Sequence, residues 1–227
     1  MNQINAYTVC VNYADILTLS IDRWKQADSL IVITDTKDEA TLALTEDHGV
    51  ELWQTDVFYE NRAFFNKGAA ISECYGHRPP KNWSLFFDAD VIPPENWREI
   101  IEPKDPADGR IHPGFLYGAQ RHDEQGVLIQ DCACAGFFQL FNVSDFNAQR
   151  RPIVDTHWSH AGNYDSEFKE RWAVSQRVTL PLHLKHIGTP MVNWCGRGNF
   201  APMSMLLSER RKRGGFSHER IAEEPRP

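Results

Sequence analysis

Apolar runs and helical repeats alternate through the first ninety residues of the chain. The runs are rich in β-branched residues, which predicts strands, and the segments between them carry apolar residues three or four positions apart, which predicts helices. In chain order these elements are a strand at 7–11, a helix at 15–26, a strand at 29–34, a helix at 38–46, a strand at 50–53, a helix at 64–75 and a strand at 84–87. Strands that alternate with helices pair in parallel, so this half predicts a doubly wound α/β sheet.

The second half of the chain has a different pattern, in which glycines interrupt the apolar runs. It predicts strands at 114–118, 135–142 and 178–187, a short helix at 165–172 and a loop at 102–114. Residues 208–227 have few apolar side chains and contain a basic run at 210–213, which is typical of a mobile tail. We therefore predict one domain with two halves and a flexible charged tail, at residues 1–92, 93–205 and 206–227.

The composition is that of a globular protein, with 41% hydrophobic and 24% charged residues in a chain of 227. A net charge of −7 argues against a protein that binds nucleic acid over its whole surface, although it is compatible with a local basic patch. The polar N-terminus does not resemble a secretory signal, and no apolar run approaches the length of a membrane span. The five cysteines are an odd number and are most simply reduced thiols, which predicts a cytoplasmic protein.

Two carboxylates end the apolar strand near residue 87. Asp88 and Asp90 are two residues apart, so in an extended chain their side chains leave the same face. Two like charges about 5 Å apart repel by roughly 3 kcal/mol at an effective dielectric of about 20. A divalent cation with oxygen ligands, Mg²⁺ or Mn²⁺, would remove this repulsion. The alternative is that Asp88 caps the next turn and Asp90 pairs with an arginine.

Polar residues also follow the three earlier strands. Asn12, Asp35 and Asp56 each come at or just after a predicted strand end. In doubly wound sheets the carboxyl ends of the strands share one edge, and ligands bind beyond that edge. The sequence therefore predicts a ligand site where these residues and the acidic pair converge.

Four features in this order resemble a metal-dependent nucleotide-sugar glycosyltransferase of the A-type fold, of the short stand-alone kind found in bacteria and phages. They are the β/α opening at 9–15, the segment Phe-Asn-Lys-Gly-Ala-Ala at 65–70, the Asp-x-Asp pair at 88 and 90, and the segment His-Ile-Gly at 186–188 before 193–197. The resemblance covers roughly residues 6–200. It implies a single α/β domain with a Rossmann-like, mostly parallel sheet, a nucleotide-sugar-binding half at 1–92 and an acceptor-side half at 93–205.

The resemblance implies a ligand set for Mn²⁺ or Mg²⁺. Asp90 is expected to bind the metal directly, Asp88 to hold the ribose or a metal-bound water, and His186 to be the third protein ligand. His183 lies three residues earlier on the same predicted strand, and an odd separation puts the two side chains on opposite faces. Only one of the two histidines can therefore face the metal. The alternative for either is a hydrogen-bonded core residue.

Further residues are expected to contact the donor and the acceptor. Lys67 would add a positive contact to the diphosphate, with an exposed surface lysine as the alternative, and Asn66 precedes it in the donor-site segment. Asp35 would meet the nucleoside, although helix capping explains it equally well. The remaining candidates are Asn12 at the nucleoside, Gly136 and Gln139 in the sugar pocket, Arg121 at the cleft rim, and Trp158, Trp194 and Arg197 as a stacking platform for the acceptor.

Residues 163–168 resemble the acidic motif that supplies the general base in inverting members of the family. The first acid of that motif is replaced here by Tyr164. We expect Asp165 to be the general base that takes the acceptor proton, with Glu167 as its substitute. The alternative is that Asp165 is the N-cap of the helix that follows.

The implied reaction is transfer of a sugar from a nucleoside-diphosphate sugar, with UDP-sugars favoured, to an acceptor hydroxyl. The acceptor is a glycan, a lipid-linked sugar, a protein or a hydroxymethylated base in phage DNA; the basic run at 210–213 favours DNA and the net charge opposes it. One alternative is a nucleotidyltransferase, which would normally carry a glycine-rich loop where residues 12–15 stand. A second is a non-catalytic module that binds nucleotide sugars without turnover.

Overall fold

The computed structural model describes residues 3–63, 65–102, 111–130, 134–149, 151–158, 161 and 164–188. The predicted tail at 206–227, and with it Trp194, Arg197 and the segment 193–197, lies outside the described residues. In the described part the chain forms a mixed α/β fold built on one sheet of nine strands.

The first half contains four parallel strands, as the alternating pattern predicts. They are β1 (Ile4–Val9), β2 (Ser29–Thr34), β3 (Glu51–Gln54) and β4 (Trp83–Asp88). They lie in the order β3-β2-β1-β4, and every pair in this series is parallel. All four therefore end at the same edge of the sheet.

The helices of this half are α1 (Ala14–Leu17), α2 (Ile21–Trp24), α3 (Glu39–His48) and α4 (Lys67–His77), with a 3₁₀ helix at Val57–Arg62. The prediction of one continuous helix at 15–26 was wrong. Leu19 and Ser20 instead donate to carbonyls three residues back, and Ser20 leaves the helical conformation. Serine and threonine compete with the helix for backbone groups, which explains a break at this point.

The second half adds antiparallel and parallel strands to the same sheet. Its elements are β5 (Val91–Ile92), α5 (Trp97–Ile101), β6 (Leu116–His122), β7 (Leu128–Gln130), β8 (Phe138–Asn142), α6 (Tyr164–Lys169) and β9 (Arg177–His186), with 3₁₀ helices at Phe146–Gln149 and Val174–Gln176. The full order is β3-β2-β1-β4-β8-β6-β9-β5, and β7 pairs with β6. Because β8 is antiparallel to both β4 and β6, and β9 is parallel to β6, the ends of β6 and β9 join the edge where β4 ends.

Aromatic side chains fill both faces of the central strand. Phe87 stacks on Trp24 with ring centres 4.0 Å apart, whereas its neighbour Phe86 contacts Phe141 on the other face at 5.2 Å. Both phenylalanines are about 1% exposed. This confirms that β4 is covered on both sides, so Asp88 and Asp90 stand at the end of a rigid, dry element. Among the described residues no helix has the length and hydropathy to cross a membrane.

Candidate active site at the carboxyl edge of the sheet

Asp88 ends β4 and forms an ion pair with Lys67, the first residue of α4. The ammonium group of Lys67 also lies 5.5 Å from the centre of the Tyr164 ring. Burial alone would lower the pKa of Lys67, but the Asp88 carboxylate and the Tyr164 phenol raise this pKa above its ordinary value. Lys67 is therefore a buried cation that neutralises Asp88, and the alternative of an exposed surface lysine is wrong.

Asn66 fixes the start of α4 and thereby the position of Lys67. Its side-chain oxygen accepts from the backbone N–H of Ala69 at 2.9 Å, which caps the helix. Its side-chain amide donates to the carbonyl of Thr156 at 2.7 Å. This residue has a structural role in the free protein, and its predicted contact with the donor stays a prediction.

Asp90 faces His186 across the junction of β5 and β9. Val91 is opposite His186 in the antiparallel pair, and the N–H of Ile187 donates to the Asp90 carbonyl at 2.9 Å. His186 Nε2 lies 3.3 Å from Asp90 Oδ2, and its Nδ1 lies 3.1 Å from the Gly188 carbonyl oxygen. Because a carbonyl oxygen only accepts, Nδ1 carries a proton. Nε2 then faces a carboxylate, and this contact is favourable when Nε2 carries a second proton or when both groups share a cation.

The alternation of burial along β9 confirms that the two histidines face opposite sides. His186 is 2% exposed, whereas His183 and Lys185 lie on the exposed face of the strand. The ring of His183 stacks on His122 with centres 4.7 Å apart. Of the two, His186 is the histidine that reaches the acidic pair.

Two observations indicate that the acidic pair can hold a divalent cation. The Oδ1 atom of Asp90 is buried and has no hydrogen-bond partner. Burial raises the pKa of the Asp88 carboxyl; the positive charge of Lys67 opposes this rise and the charge of Asp90 adds to it. Lys67 alone therefore does not balance the two carboxylates, and a hard cation would supply the missing positive charge.

Protein ligands alone do not complete a metal site in the part of the chain that the structure describes. No group of three His, Cys, Asp or Glu side chains there is placed to hold a metal ion. Asp88 is turned to Lys67, while Asp90 and His186 form a pair of their own. The assignment of all three as metal ligands stays a prediction, and it requires oxygens from a bound substrate.

Asp165 lies in the first turn of α6 and is held against the start of β8. The N–H of Gly136 donates to its Oδ2 at 2.9 Å, and the side-chain amide of Gln139 donates to its backbone carbonyl at 3.1 Å. A Cβ atom at Gly136 would lie 2.5 Å from Oδ2 of Asp165, so this close approach needs glycine. Because α6 begins at Tyr164, Asp165 is inside the helix rather than at its N-cap.

The carboxyl group of Glu167 forms a hydrogen bond with the carboxyl group of Asp155. Burial would raise the pKa of Asp155, but hydrogen bonds with Glu167 and His157 lower it below its ordinary value. His157 Nδ1 lies 3.1 Å from Asp155 Oδ1. Glu167 and Asp165 therefore have different surroundings, and only Asp165 contacts the glycine of the predicted sugar pocket.

At the nucleoside side, the residues after β1 and β2 form a closed network. Asn12 has a left-handed conformation with a φ angle of 58°, and its N–H donates to Asp38 Oδ2 at 2.7 Å. Asp38 caps α3 by accepting from the N–H of Thr41 at 3.1 Å. Asp35 is buried and accepts from the N–H of Lys37 at 2.9 Å, so it closes a turn and does not cap the helix. Contacts of Asn12 and Asp35 with a nucleoside stay predictions.

Two candidates have positions that differ from the expectation. Arg121 is not at a rim: it lies on β6, is 8% exposed and packs over the Phe137 ring with its guanidinium carbon 5.0 Å from the ring centre. Trp158 is buried in the core, and Trp194 and Arg197 lie outside the described residues, so the stacking platform stays a prediction.

Sequence reasoning also missed Tyr164 as the partner of Lys67. The signal for it was a tyrosine at the position where the related motif has an acid.

Several solved structures are similar to this chain at low sequence identity. A structure of GalNAc-T7 with UDP, GalNAc and Mn²⁺ has a TM-score of 0.57 at 11% identity and covers 82% of this chain, which spans only 44% of the GalNAc-T7 chain. A second structure is that of glucosyl-3-phosphoglycerate synthase from Mycobacterium tuberculosis with Mn²⁺, UDP and phosphoglyceric acid. It has a TM-score of 0.56 at 14% identity, and the match covers 91% of this chain and 78% of the synthase chain.

A third similar structure is mannosyl-3-phosphoglycerate synthase from Rubrobacter xylanophilus, with a TM-score of 0.56, 13% identity and coverage of 96% of this chain and 77% of the other. No protein-family model and no curated protein sequence matches this chain. At these identities the likeness concerns the fold, and it confirms the predicted architecture: this chain has the A-type fold of nucleotide-sugar glycosyltransferases.

Proposed function

We propose that this protein is a metal-dependent glycosyltransferase that moves a sugar from a nucleoside-diphosphate sugar, with UDP-sugars favoured, to an acceptor hydroxyl. The observation that carries the proposal is the contact of Asp90 with His186 Nε2, beside a buried Asp90 oxygen that has no partner. These groups stand at the sheet edge where ligands of α/β proteins bind. The Mn²⁺ and UDP in the similar structures support the same reading.

Asp90 and His186 would hold the cation, with Asp88 beside them and diphosphate oxygens in the remaining positions. When bound, the cation would act as a Lewis acid that stabilises the negative charge on the leaving diphosphate. The hydrogen bond from His186 Nδ1 to the Gly188 carbonyl orients the ring so that Nε2 points toward Asp90. The ion pair with Lys67 keeps Asp88 charged in a buried setting.

Asp165 would take the proton from the acceptor hydroxyl. The N–H of Gly136 and the side chain of Gln139 hold this residue in one place, and such positioning is what a general base requires. Glu167 is less suited, because its carboxyl group is hydrogen-bonded to Asp155. We therefore keep Asp165 as the base and Glu167 as its substitute.

The decisive experiment is a donor screen with Mn²⁺ present and absent. The protein is incubated with UDP- and GDP-sugars, and both donor binding and release of free nucleoside diphosphate are measured. Mn²⁺-dependent release with at least one donor supports the proposal. Binding without release would favour a non-catalytic module. In a parallel incubation with nucleoside triphosphates, release of pyrophosphate would favour a nucleotidyltransferase.

For the acceptor, we propose a hydroxymethylated base in phage DNA. The basic run at 210–213 and the resemblance to short phage enzymes support this choice, and the net charge of −7 opposes it. Transfer of radiolabelled sugar to hydroxymethylated DNA is compared with transfer to unmodified DNA and to glycans. Label on the hydroxymethylated DNA alone supports the proposal, and DNA binding should then weaken steeply with salt. Label on glycans alone rejects the DNA acceptor and leaves the transferase intact.

A further inference from the structure

Arg121 is a buried cation whose guanidinium group has no counter-ion among the described residues. It is 8% exposed, its Nε atom is buried without a hydrogen-bond partner, and no ion pair with a carboxylate of the described chain is formed. Burying a charge without an ion pair is costly, because a guanidinium group loses its hydration and a ring contact replaces only part of it. A protein retains such a group when a ligand completes it.

Arg121 packs on Phe137, a residue whose backbone links two parts of the candidate site. Its guanidinium carbon lies 5.0 Å from the centre of the Phe137 ring, which stacks beneath it. The carbonyl of Phe137 accepts from the N–H of Asp88 at 3.4 Å, and the preceding residue, Gly136, binds the Asp165 carboxylate. Arg121 therefore packs on the segment that joins the acidic pair to the proposed base. Burial raises the pKa of the Asp88 carboxyl, and the charge of Arg121 is close enough to oppose part of this rise, together with Lys67.

Arg121 also faces the same side of the sheet as His186. It is opposite Leu184 in the parallel pair of β6 and β9, and Leu184 and His186 are two residues apart on the buried face of β9. The sheet thus places Arg121 on the same face as His186, beside the proposed donor site. Lys67, the cation expected to touch the diphosphate, is already neutralised by Asp88.

We propose that Arg121 binds an anionic oxygen group of the sugar donor, the role expected of Lys67 from the sequence. The planar guanidinium group offers paired N–H donors that match phosphate and carboxylate oxygens, and the Phe137 ring holds it in plane. This inference rests on the proposed function. The group is either a phosphate of the diphosphate or a carboxylate on the transferred sugar, that is, a uronic acid.

Calorimetry with Mn²⁺ and four ligands distinguishes these two sources. The ligands are UDP, pyrophosphate, UDP-glucose and UDP-glucuronate, and the proteins are the wild type, Arg121→Met and Arg121→Lys. If the group is a phosphate, Arg121→Met weakens binding of all four ligands by about 10- to 100-fold. If it is the sugar carboxylate, only UDP-glucuronate loses affinity. Arg121→Lys, which keeps the charge but not the paired donors, should fall between the wild type and Arg121→Met.

Arg78→Met is the matched control. Arg78 follows the last residue of α4, at the opposite edge of the sheet from Lys67, and pairs with Glu51 on the surface. Its replacement should leave all four affinities unchanged.

Thermal unfolding tests the same assignment through stability. Arg121→Met should be at least as stable as the wild type, because methionine removes an unpaired buried charge and keeps an apolar chain over Phe137. A structural arginine would instead lose stability on this change.

The outcomes separate the two proposals. Wild-type protein that binds none of the four ligands refutes the proposed function and this inference together. Wild-type protein that binds them, with a folded Arg121→Met variant of equal affinity for all four, refutes the inference alone. Should Arg121→Met fail to fold, Arg121→Lys decides: unchanged affinity for every ligand overturns the assignment, and a loss for all four ligands or for UDP-glucuronate alone supports it.

Discussion

Two clusters of side chains, each built around an aspartate, stand at the same sheet edge, and the two aspartates have opposite surroundings. The Asp38 corner, after β1 and β2, consists of Asn12, Thr34, Asp38, Thr41 and Cys10. The Asp90 corner, after β4 and β9, consists of Asp88, Asp90, His186, Lys67 and Arg121. In the first, one carboxylate accepts from the Asn12 N–H, the Thr34 hydroxyl and both the N–H and the hydroxyl of Thr41. In the second, a buried carboxylate oxygen and a buried guanidinium nitrogen have no partner.

The difference shows how to tell a structural carboxylate from a functional one at a ligand-binding edge. A buried carboxylate that is fully hydrogen-bonded stabilises the fold and has nothing left to offer a ligand. A buried carboxylate with an unpaired oxygen costs stability and gains from a ligand. The position after a parallel strand is common to both, so position alone does not identify the site.

Replacement of Asp90 by asparagine should have the largest effect on activity. The amide keeps the shape but removes the charge that would hold the cation, so Mn²⁺-dependent release of nucleoside diphosphate should fall by about 10³-fold or more. Nucleotide release and Mn²⁺ titration by calorimetry measure this. The free energy of unfolding should stay equal or rise, because a negative charge whose Oδ1 atom is buried without a partner is lost. Wild-type Mn²⁺ binding in Asp90→Asn would contradict the comparison.

Replacement of Asp38 by alanine should show the reverse behaviour. It removes the N-cap of α3 and leaves the donors of Asn12, Thr34 and Thr41 without their acceptor. The free energy of unfolding should fall by about 3 kcal/mol. Urea denaturation followed by circular dichroism measures this loss. The activity of the fraction that stays folded should keep its dependence on Mn²⁺; if that dependence disappears, the Asp38 corner is part of the donor site.

The sequence predicted the sheet and the edge, but not the pairing of side chains within the site. Strand ends at Asn12, Asp35 and Asp88 converge because parallel strands share an edge, which is a property of the pattern. The partner of Asp88 depends on where α4 begins, and Asn66 sets that start three residues later than the helical repeat suggested. Helix starts depend on capping contacts with distant segments, which periodicity does not contain.

The same limit applies to the second half of the chain. Asp165 was identified through a motif, whereas its contact with Gly136 joins residues 29 positions apart and follows from the packing of α6 on β8. Arg121 was expected at the rim of the cleft. Strand β6 instead extends four residues beyond the predicted end at residue 118, so Arg121 lies within the strand and its side chain is buried against the sheet. Non-local contacts of this kind follow from the assembled sheet rather than from any one segment.

Replacement of Gly136 by alanine tests whether the position of Asp165 matters for turnover. The added methyl group would overlap with the Asp165 carboxylate and displace it, so turnover should fall by about 10- to 100-fold, with the donor affinity largely kept. Steady-state kinetics measure this change. Gly76→Ala is the control: this glycine lies inside α4 with open space around it, so the change should raise the free energy of unfolding by about 1 kcal/mol and leave turnover alone. Equal turnover in both variants would remove the case for Asp165 as the base.

The smallest expected effect concerns Cys10 and tests whether the Asp38 corner is closed to water. Its thiol lies 3.4 Å from the Thr41 hydroxyl, and burial raises its pKa from 9.0 to about 12. In the unfolded chain the thiol ionises near pH 9, so between pH 9 and 12 unfolding releases a proton and the folded state loses stability as the pH rises. For this group alone the free energy of unfolding should fall by roughly 1 kcal/mol between pH 8 and pH 10.

Urea denaturation under reducing conditions at these two pH values, on the wild type and Cys10→Ala, isolates the contribution of the thiol, because other alkaline titrations are common to both proteins. Cys10→Ala should be less stable than the wild type at pH 8, because of the small cavity it leaves, but should lose roughly 1 kcal/mol less on going to pH 10. An equal loss in both proteins would mean that the thiol already ionises in the folded state, that water reaches the Asp38 corner, and that the contrast between a closed and an open corner does not hold.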